Sequence, residues 1–311
     1  VSSKKWWAFL MILYVIWRLT KIQDQYRWDD ITPLPLVIEN NSVATILYSD
    51  GFKHLMGLFR ALQKNKEHSE RALYLTSKVI EVIAAHYTVW QYRFDNIIAL
   101  EKDINEELDW VEQIALDNPK NYQIWGYRQL LLKHSRQKTL ERELPILDIM
   151  IADDSKNYHV WSYRKWIVQW CDDYSHELAF VDKCLKNDVY NNSAWCHRFF
   201  VIAHSLADWD DELEYVKRQI SLSPKNESSW NYIVGLFDKY EKPLSSLESF
   251  ALSFANLDDE DIESVPALEV LVKIYKEKDT ERAFRGYELL GTKYDTIRSK
   301  YWEYQKSLIS S

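Results

Sequence analysis

Five times the chain places a short polar run ahead of a tryptophan, and the side chains in those runs suit the binding of anions more than the attack of bonds. The runs are His86-Tyr87-Thr88-Val89-Trp90, Lys120-Asn121-Tyr122-Gln123-Ile124-Trp125, Lys156-Asn157-Tyr158-His159-Val160-Trp161, Tyr190-Asn191-Asn192-Ser193-Ala194-Trp195 and Lys225-Asn226-Glu227-Ser228-Ser229-Trp230. Lys120, Lys156 and Lys225 share one repeat position and each supplies a compact positive charge. Gln123 offers an amide donor to a carboxylate, and Tyr122, Tyr158 and His159 add hydroxyl and imidazole groups. Gathered near helix starts, where free N–H groups and the dipole favour anions, these groups could bind a phosphate and a carboxylate. Read as solvated turn residues they do no more than bond local backbone, and spacing alone leaves both readings open. No self-contained catalytic set accompanies them: the sequence has no nucleophile-elbow serine, no Gly-rich phosphate loop and no H-E-x-x-H.

The elements that must carry these runs follow from the register. The five tryptophans are 35, 36, 34 and 35 residues apart, a period typical of solenoids built from helix pairs. Seventeen residues before each stands a leucine: Leu73, Leu108, Leu144, Leu178 and Leu213. Eighteen before, in four units, stands Glu107, Glu143, Glu177 or Glu212, and three after, in the first four, stands Arg93, Arg128, Arg164 or Arg198. Apolar residues at Val111, Leu147, Val181 and Val216, then at Ala115, Ile151, Leu185 and Ile220, complete a helical stripe for the first helix of each pair. Asn118, Asp154, Asp188 and Ser223 lie seven residues ahead of a Trp and are good N-cap types, with Pro119 and Pro224 following two of them. They predict where the second helix begins. On that helix Trp fills the core, and Arg pairs with a glutamate of a neighbouring helix.

The expected fold is therefore all-α, a right-handed superhelical, tetratricopeptide-like solenoid of antiparallel helix pairs. A 311-residue chain with few Gly and Pro and 14% aromatics suits one elongated helical domain. Its net charge of −8 argues against a general nucleic-acid or anionic-membrane binder. Cys171, Cys184 and Cys196 have no C-x-x-C spacing, which points to reduced thiols, a cytoplasmic setting and no zinc site on this chain.

The chain opens on an apolar run, residues 6–17, too short to span a bilayer and without a small-residue cleavage site after it. Residues 1–25 thus form an atypical hydrophobic segment, expected not to insert stably in a membrane. Residues 26–52 form an extended arm with Pro33 and Pro35, and residues 53–311 form the repeat domain. Ser49 is expected to cap a helix from Asp50 to Lys64, a helix is expected over 67–85, and Pro243 is expected to break the pattern. Two or more helices follow the acidic stretch 258–263, with Asp295 expected to cap the last.

Lys-Asn-Tyr-x-x-Trp-x-x-Arg at this period resembles the prenyltransferase alpha-subunit repeat. Lys120 to Trp125 and Lys156 to Trp161 are similar to the alpha subunit shared by protein farnesyltransferase and protein geranylgeranyltransferase type I. So are Trp28-Asp29-Asp30-Ile31 with Pro33 and Pro35, Tyr48-Ser49-Asp50, Asn226 to Tyr232, Lys278-Asp279, Asp295-Thr296-Ile297-Arg298 and Tyr301-Trp302, over roughly residues 26–307. The resemblance implies a crescent wrapped around a beta subunit, which holds the catalytic zinc and most of the isoprenoid pocket. It implies transfer of farnesyl or geranylgeranyl from its diphosphate to the cysteine of a C-terminal CaaX sequence, with magnesium on the diphosphate in farnesyl transfer. It also implies roles: Lys120 stabilises the leaving diphosphate, His159 beside Tyr158 sits near it, Gln123 binds the peptide's carboxylate, and Tyr87 and Tyr122 border the peptide and diphosphate sites.

Two other readings remain. One is the alpha subunit of Rab geranylgeranyltransferase, whose turns are less like Lys-Asn-Tyr-Gln and which carries a leucine-rich region absent here. The other is a non-catalytic peptide-binding scaffold of the tetratricopeptide kind, against which the six glycines weigh.

Overall fold

The computed structural model describes residues 25–36, 44, 46–205 and 208–309. The apolar opening at 6–17 lies outside the described residues. The helices are α1 (Asp50–Lys64), α2 (Glu70–Val82), α3 (Tyr87–Ala99), α4 (Ile104–Asp117), α5 (Tyr122–Ser135), α6 (Leu140–Asp153) and α7 (Tyr158–Cys171). They continue as α8 (Glu177–Asn187), α9 (Asn192–His204), α10 (Trp209–Leu222), α11 (Glu227–Lys239), α12 (Glu248–Leu252), α13 (Val265–Lys278), α14 (Thr280–Leu289) and α15 (Ser299–Ser307). Within each unit, from α2 to α6 and from α7 to α11, the connections are four or five residues long, so consecutive helices lie antiparallel as pairs, as the periodicity predicts. The chain forms two compact units, residues 1–150 and 151–311.

In the first unit the arm 25–36 lies on α1. Leu34 donates its N–H to the Gly57 carbonyl at 3.0 Å, and Arg60 donates to the Leu34 carbonyl at 2.8 and 3.0 Å. A Cβ on Gly57 would stand 2.8 Å from the Pro33 Cβ, so glycine permits this approach. Ser49 caps α1, accepting the Phe52 N–H, as expected. The next helix is shorter than the expected 67–85. Ser69 is its cap, while the Glu67 side chain, lying outside the helix, accepts from Ser69 and Arg71, both at 2.6 Å.

The starts of the second helices also differ from expectation. Asn118, Asp188 and Ser223 close the preceding helices α4, α8 and α10, and the N-caps are Asn121, Asn157, Asn191 and Asn226, three residues later. A tight turn separates the two sites: the later residue's N–H donates to the carbonyl of Asn118, Asp154, Asp188 or Ser223 at 3.0 to 3.1 Å. Proline suits the second position of such a turn, which is where Pro119 and Pro224 fall. Both positions carry cap-competent side chains, but only the later one leads directly into helical backbone.

Behind the second helices runs a buried polar seam. Arg93, Arg128, Arg164 and Arg198 each make two hydrogen bonds, at 2.6 to 3.0 Å, to Glu107, Glu143, Glu177 and Glu212 respectively. Each Arg thus pairs with the first helix of the following repeat. This explains the offset in the sequence, where the first repeat lacks the Glu and the fifth lacks the Arg. Glu107 also accepts from the Tyr127 hydroxyl at 2.8 Å, Glu212 accepts from Tyr232, and the His197 imidazole lies 2.6 Å from Glu177. Arg93, Arg164 and Arg198 lie 3.4 to 3.6 Å from the ring centres of Trp110, Phe180 and Tyr215. The charges are therefore all paired and hydrogen-bonded, which is what burial demands of them, and Arg93, Arg164 and Arg198 are also stacked. Trp90, Trp161, Trp195 and Trp230 are buried, and each indole N–H donates to the carbonyl six residues back, at 2.7 to 2.9 Å.

After Pro243 the pattern breaks into a 3-10 turn, Leu244–Leu247, as expected. A two-residue hairpin, β1 (Ala255–Asn256) and β2 (Asp261–Ile262), was not expected because strands this short show no alternation. The acidic stretch supplies its loop through Glu260 and then β2 itself. Asp295 does not cap α15; its carboxylate instead accepts the Trp302 indole N–H at 2.7 Å and pairs with Arg298.

Candidate functional site

The cap asparagines decide where the anion-binding candidates lie. Asn121 accepts the Gln123 N–H at 2.9 Å, and Asn157 accepts the His159 and Val160 N–H groups at 3.0 and 3.3 Å. Lys120 and Lys156 therefore stand just outside the helix, one residue before the cap. Tyr87, Tyr122 and Tyr158 are each the first helical residue and are 71%, 64% and 76% exposed. Gln123 and His159 are second and half-buried.

In the first unit, Tyr87 and Gln123 line one groove of about 470 Å³ between α3 and α5. Thr88, Trp90, Gln91, Gly126, Tyr127 and Leu130 complete its walls. Nothing stands within 4 Å of a Cβ built on Gly126, which helps keep this groove open. Lys120 and Tyr122 precede Gln123 at the same helix start. In the second unit, Tyr158 and His159 begin α7, with their rings edge to face at 5.7 Å. Lys156 there pairs with Asp188 at 3.1 Å, so its charge is shared with a carboxylate.

The second unit has a groove built from the same repeat positions, between α9 and α11, of about 270 Å³. Asn192, Cys196, Ser228 and Asn231 supply its polar lining, and the Phe199 ring lies 3.2 Å from where a Gly235 Cβ would stand. The α3/α5 groove is the larger, and it carries the Tyr87 phenol and the Gln123 amide where the second has Asn192 and Ser228. Spacing missed Thr88, Gln91 and Gly126 as wall residues, although their places relative to Trp90 and Trp125 were readable.

Among the described residues, no group of three or more His, Cys, Asp or Glu side chains is placed to hold a metal ion. The described residues thus do not fit a zinc site, and Cys171, Cys184 and Cys196 are thiols. No helix among the described residues is long and apolar enough to cross a membrane.

The helix pairs α4/α5, α6/α7, α8/α9 and α10/α11 coincide with four matches to the protein prenyltransferase alpha subunit repeat model, at residues 104–135, 140–171, 174–205 and 209–240. The chain is 44% identical over 301 residues to the protein farnesyltransferase/geranylgeranyltransferase type-1 subunit alpha of Candida albicans, covering 92% of this chain and 98% of the relative. It is 35% identical over 303 residues to the Dictyostelium discoideum protein of the same description, covering 91% and 92%. A solved structure described as Candida albicans protein geranylgeranyltransferase-I complexed with GGPP superposes with a TM-score of 0.86 at 43% identity, covering 92% of this chain and 100% of that one.

Proposed function

Because the chain belongs to the family of alpha subunits shared by protein farnesyltransferase and geranylgeranyltransferase type 1, we propose that it acts with a beta subunit to prenylate CaaX-terminated proteins. In that reaction the CaaX cysteine thiolate forms a bond to C1 of farnesyl or geranylgeranyl. The C–O bond breaks, and the diphosphate leaves with the electron pair. The observation that carries the reading is the pair of capped helix starts, Lys120-Asn121-Tyr122-Gln123 and Lys156-Asn157-Tyr158-His159. They present a cation, an amide, phenols and an imidazole where helix dipoles already favour anions.

Lys120 stabilises charge on the departing diphosphate, where an ammonium is worth more in the transition state than in the ground state. His159, held against Tyr158, contacts the same diphosphate. Gln123 donates its amide to the peptide's terminal carboxylate, with Tyr87 across the groove and Tyr122 bordering the diphosphate. The family's zinc belongs to the beta subunit, where it would favour the substrate thiolate. Magnesium would accompany the diphosphate in farnesyl transfer. This chain's part is to bind, orient and offset charge, in the cytoplasm, while scaffolding its partner.

Coexpression with each candidate beta subunit, followed by prenylation assays on peptides ending in different residues, tests the reading. Activity only in the heterodimer is the expected result. Transfer by the purified, metal-free chain alone would overturn it.

A further inference from the structure

Resting on the reading that His159, held against Tyr158, serves the diphosphate, we propose that Asn191, one repeat further on, is a positioning residue that fixes the turn ahead of His159. The link is a backbone carbonyl with two donors. Ser155 O accepts the Trp161 indole N–H at 2.9 Å from its own repeat and the Asn191 side-chain amide at 2.9 Å from the next. Ser155 lies two residues before Asn157, whose side chain holds the His159 and Val160 N–H groups. The other end of the Asn191 amide is also occupied, since its oxygen accepts from the Ser193 and Ala194 N–H groups at 3.0 and 3.3 Å. Asn191 is 1% exposed, so water cannot easily replace either bond.

The arrangement recurs along the second unit. Val189 O accepts from Trp195 at 2.7 Å and from the Asn226 amide at 2.7 Å. Pro224 O accepts from Trp230 at 2.8 Å and from the Ser264 hydroxyl, where serine caps α13 in place of asparagine. A carbonyl oxygen has two lone pairs, and here both are directed, one within the repeat and one across to its neighbour. Each turn is thus held by its successor. The exposed Lys156–Asp188 pair also joins the first two turns, but a surface ion pair is a weak constraint beside a buried amide bond.

Asn191→Asp isolates the link. Aspartate keeps the oxygen that caps α9 and suits a helix start, but it sets an oxygen in place of the donor facing Ser155 O. The test uses the heterodimer with its beta subunit, in wild-type, Asn191→Asp, His159→Ala, doubly substituted and Asn226→Asp forms. We expect Asn191→Asp to assemble, to lower the single-turnover rate about tenfold with little change in KM for the prenyl diphosphate, and to speed amide exchange at His159 and Val160. The double variant should be no slower than His159→Ala, and Asn226→Asp should slow transfer much less than Asn191→Asp. Additive losses in the double variant, unchanged exchange at residues 158–160, or an equal loss in Asn226→Asp would overturn the proposal. Faster exchange in Asn191→Asp with full activity in His159→Ala would support the link and overturn the role given to His159. If Asn191→Asp fails to assemble, Asn191→Ser, which caps but is too short to reach Ser155, must reproduce the rate loss.

Discussion

The buried seam behind the second helices and the exposed starts of the same helices share one register but vary to very different degrees. Three residues after Trp the seam has Arg in four repeats, each meeting a Glu that stands 18 residues before the next Trp. Three and two residues before Trp, the exposed start reads Tyr-Thr, Tyr-Gln, Tyr-His, Asn-Ser and Glu-Ser in successive repeats. In the seam an unmatched charge is costly, so the chemistry is held constant. At the start, water accepts any polar group, so individual repeats can acquire individual chemistry. In a repeat protein of this kind, stability lies in what repeats and function in what departs from the repeat.

That contrast can be broken in four ways. The largest effect belongs to the seam. Arg128 and Glu143 are fully buried, so Arg128→Met should cost about 3–5 kcal/mol by chemical denaturation. Adding Glu143→Leu should restore most of it, while Lys156→Ala, at an exposed pair, should cost under about 1 kcal/mol. A similar cost at both positions would erase the distinction.

Next comes the exposed start. Lys120→Ala should slow single-turnover prenyl transfer by about 10² to 10³, or roughly 3–4 kcal/mol, with little effect on substrate binding. Lys225→Ala, at the equivalent position but followed by Asn-Glu, should change little. Equal losses at the two lysines would show that the repeat position, not its individual neighbours, sets function.

The third test is acid. His197 replaces the Tyr found two residues after Trp in the other repeats. Burial pushes its imidazole down, more than the Glu177 hydrogen bond raises it. Burial would raise the Glu177 carboxyl, but hydrogen bonds from His197 and Arg164 hold it below the usual carboxylate range. The unfolded chain therefore binds more protons at both groups, and stability falls as pH drops through the ordinary histidine range and again through the carboxylate range. His197→Tyr should flatten the first fall, measured as Tm against pH. An unaltered profile would remove His197 as its source.

The smallest effect is a gain. His86 occupies the cap position of α3 with extended backbone like the asparagines, yet makes no side-chain cap bond. His86→Asn should stabilise the chain by about 1 kcal/mol in thermal unfolding, and a loss would show that its ring packing on Phe59 outweighs a cap.

Much of this was legible because buried chemistry constrains residue type. The Trp ladder, the Arg–Glu pairing and the Asp50–Lys64 helix with its Ser49 cap follow from the sequence. The helix starts were read three residues early because Asn118 and Asn121, or Asp188 and Asn191, are equally good caps; which one leads into helix depends on the turn between them. Tyr127 and His197 were visible within Trp-x-Tyr-Arg and Trp-x-His-Arg, but the partner of each is a glutamate 20 residues away, which local periodicity does not signal. At the candidate site, residue types pointed to anions, and the family resemblance supplied the individual roles. The shared groove of Tyr87 and Gln123 needed coordinates, since the 35 residues between their positions say nothing of the space left by Gly126.

The offset of the Arg–Glu pairs bears on how the chain can come apart. Every boundary between these repeats is crossed by a charge whose counter-charge lies on the other side, so fraying that stopped at such a boundary would leave a guanidinium facing an empty socket. Partial unravelling is therefore penalised at the boundaries where a linear array would otherwise divide most easily. The ends escape this penalty, because Ala72 and Ile233 stand at the repeat positions where an unmatched Glu and Arg would otherwise be. The expected behaviour is a melting front that crosses whole groups of repeats at once, and a nascent chain that gains little lasting order until the helix bearing the next glutamate has emerged.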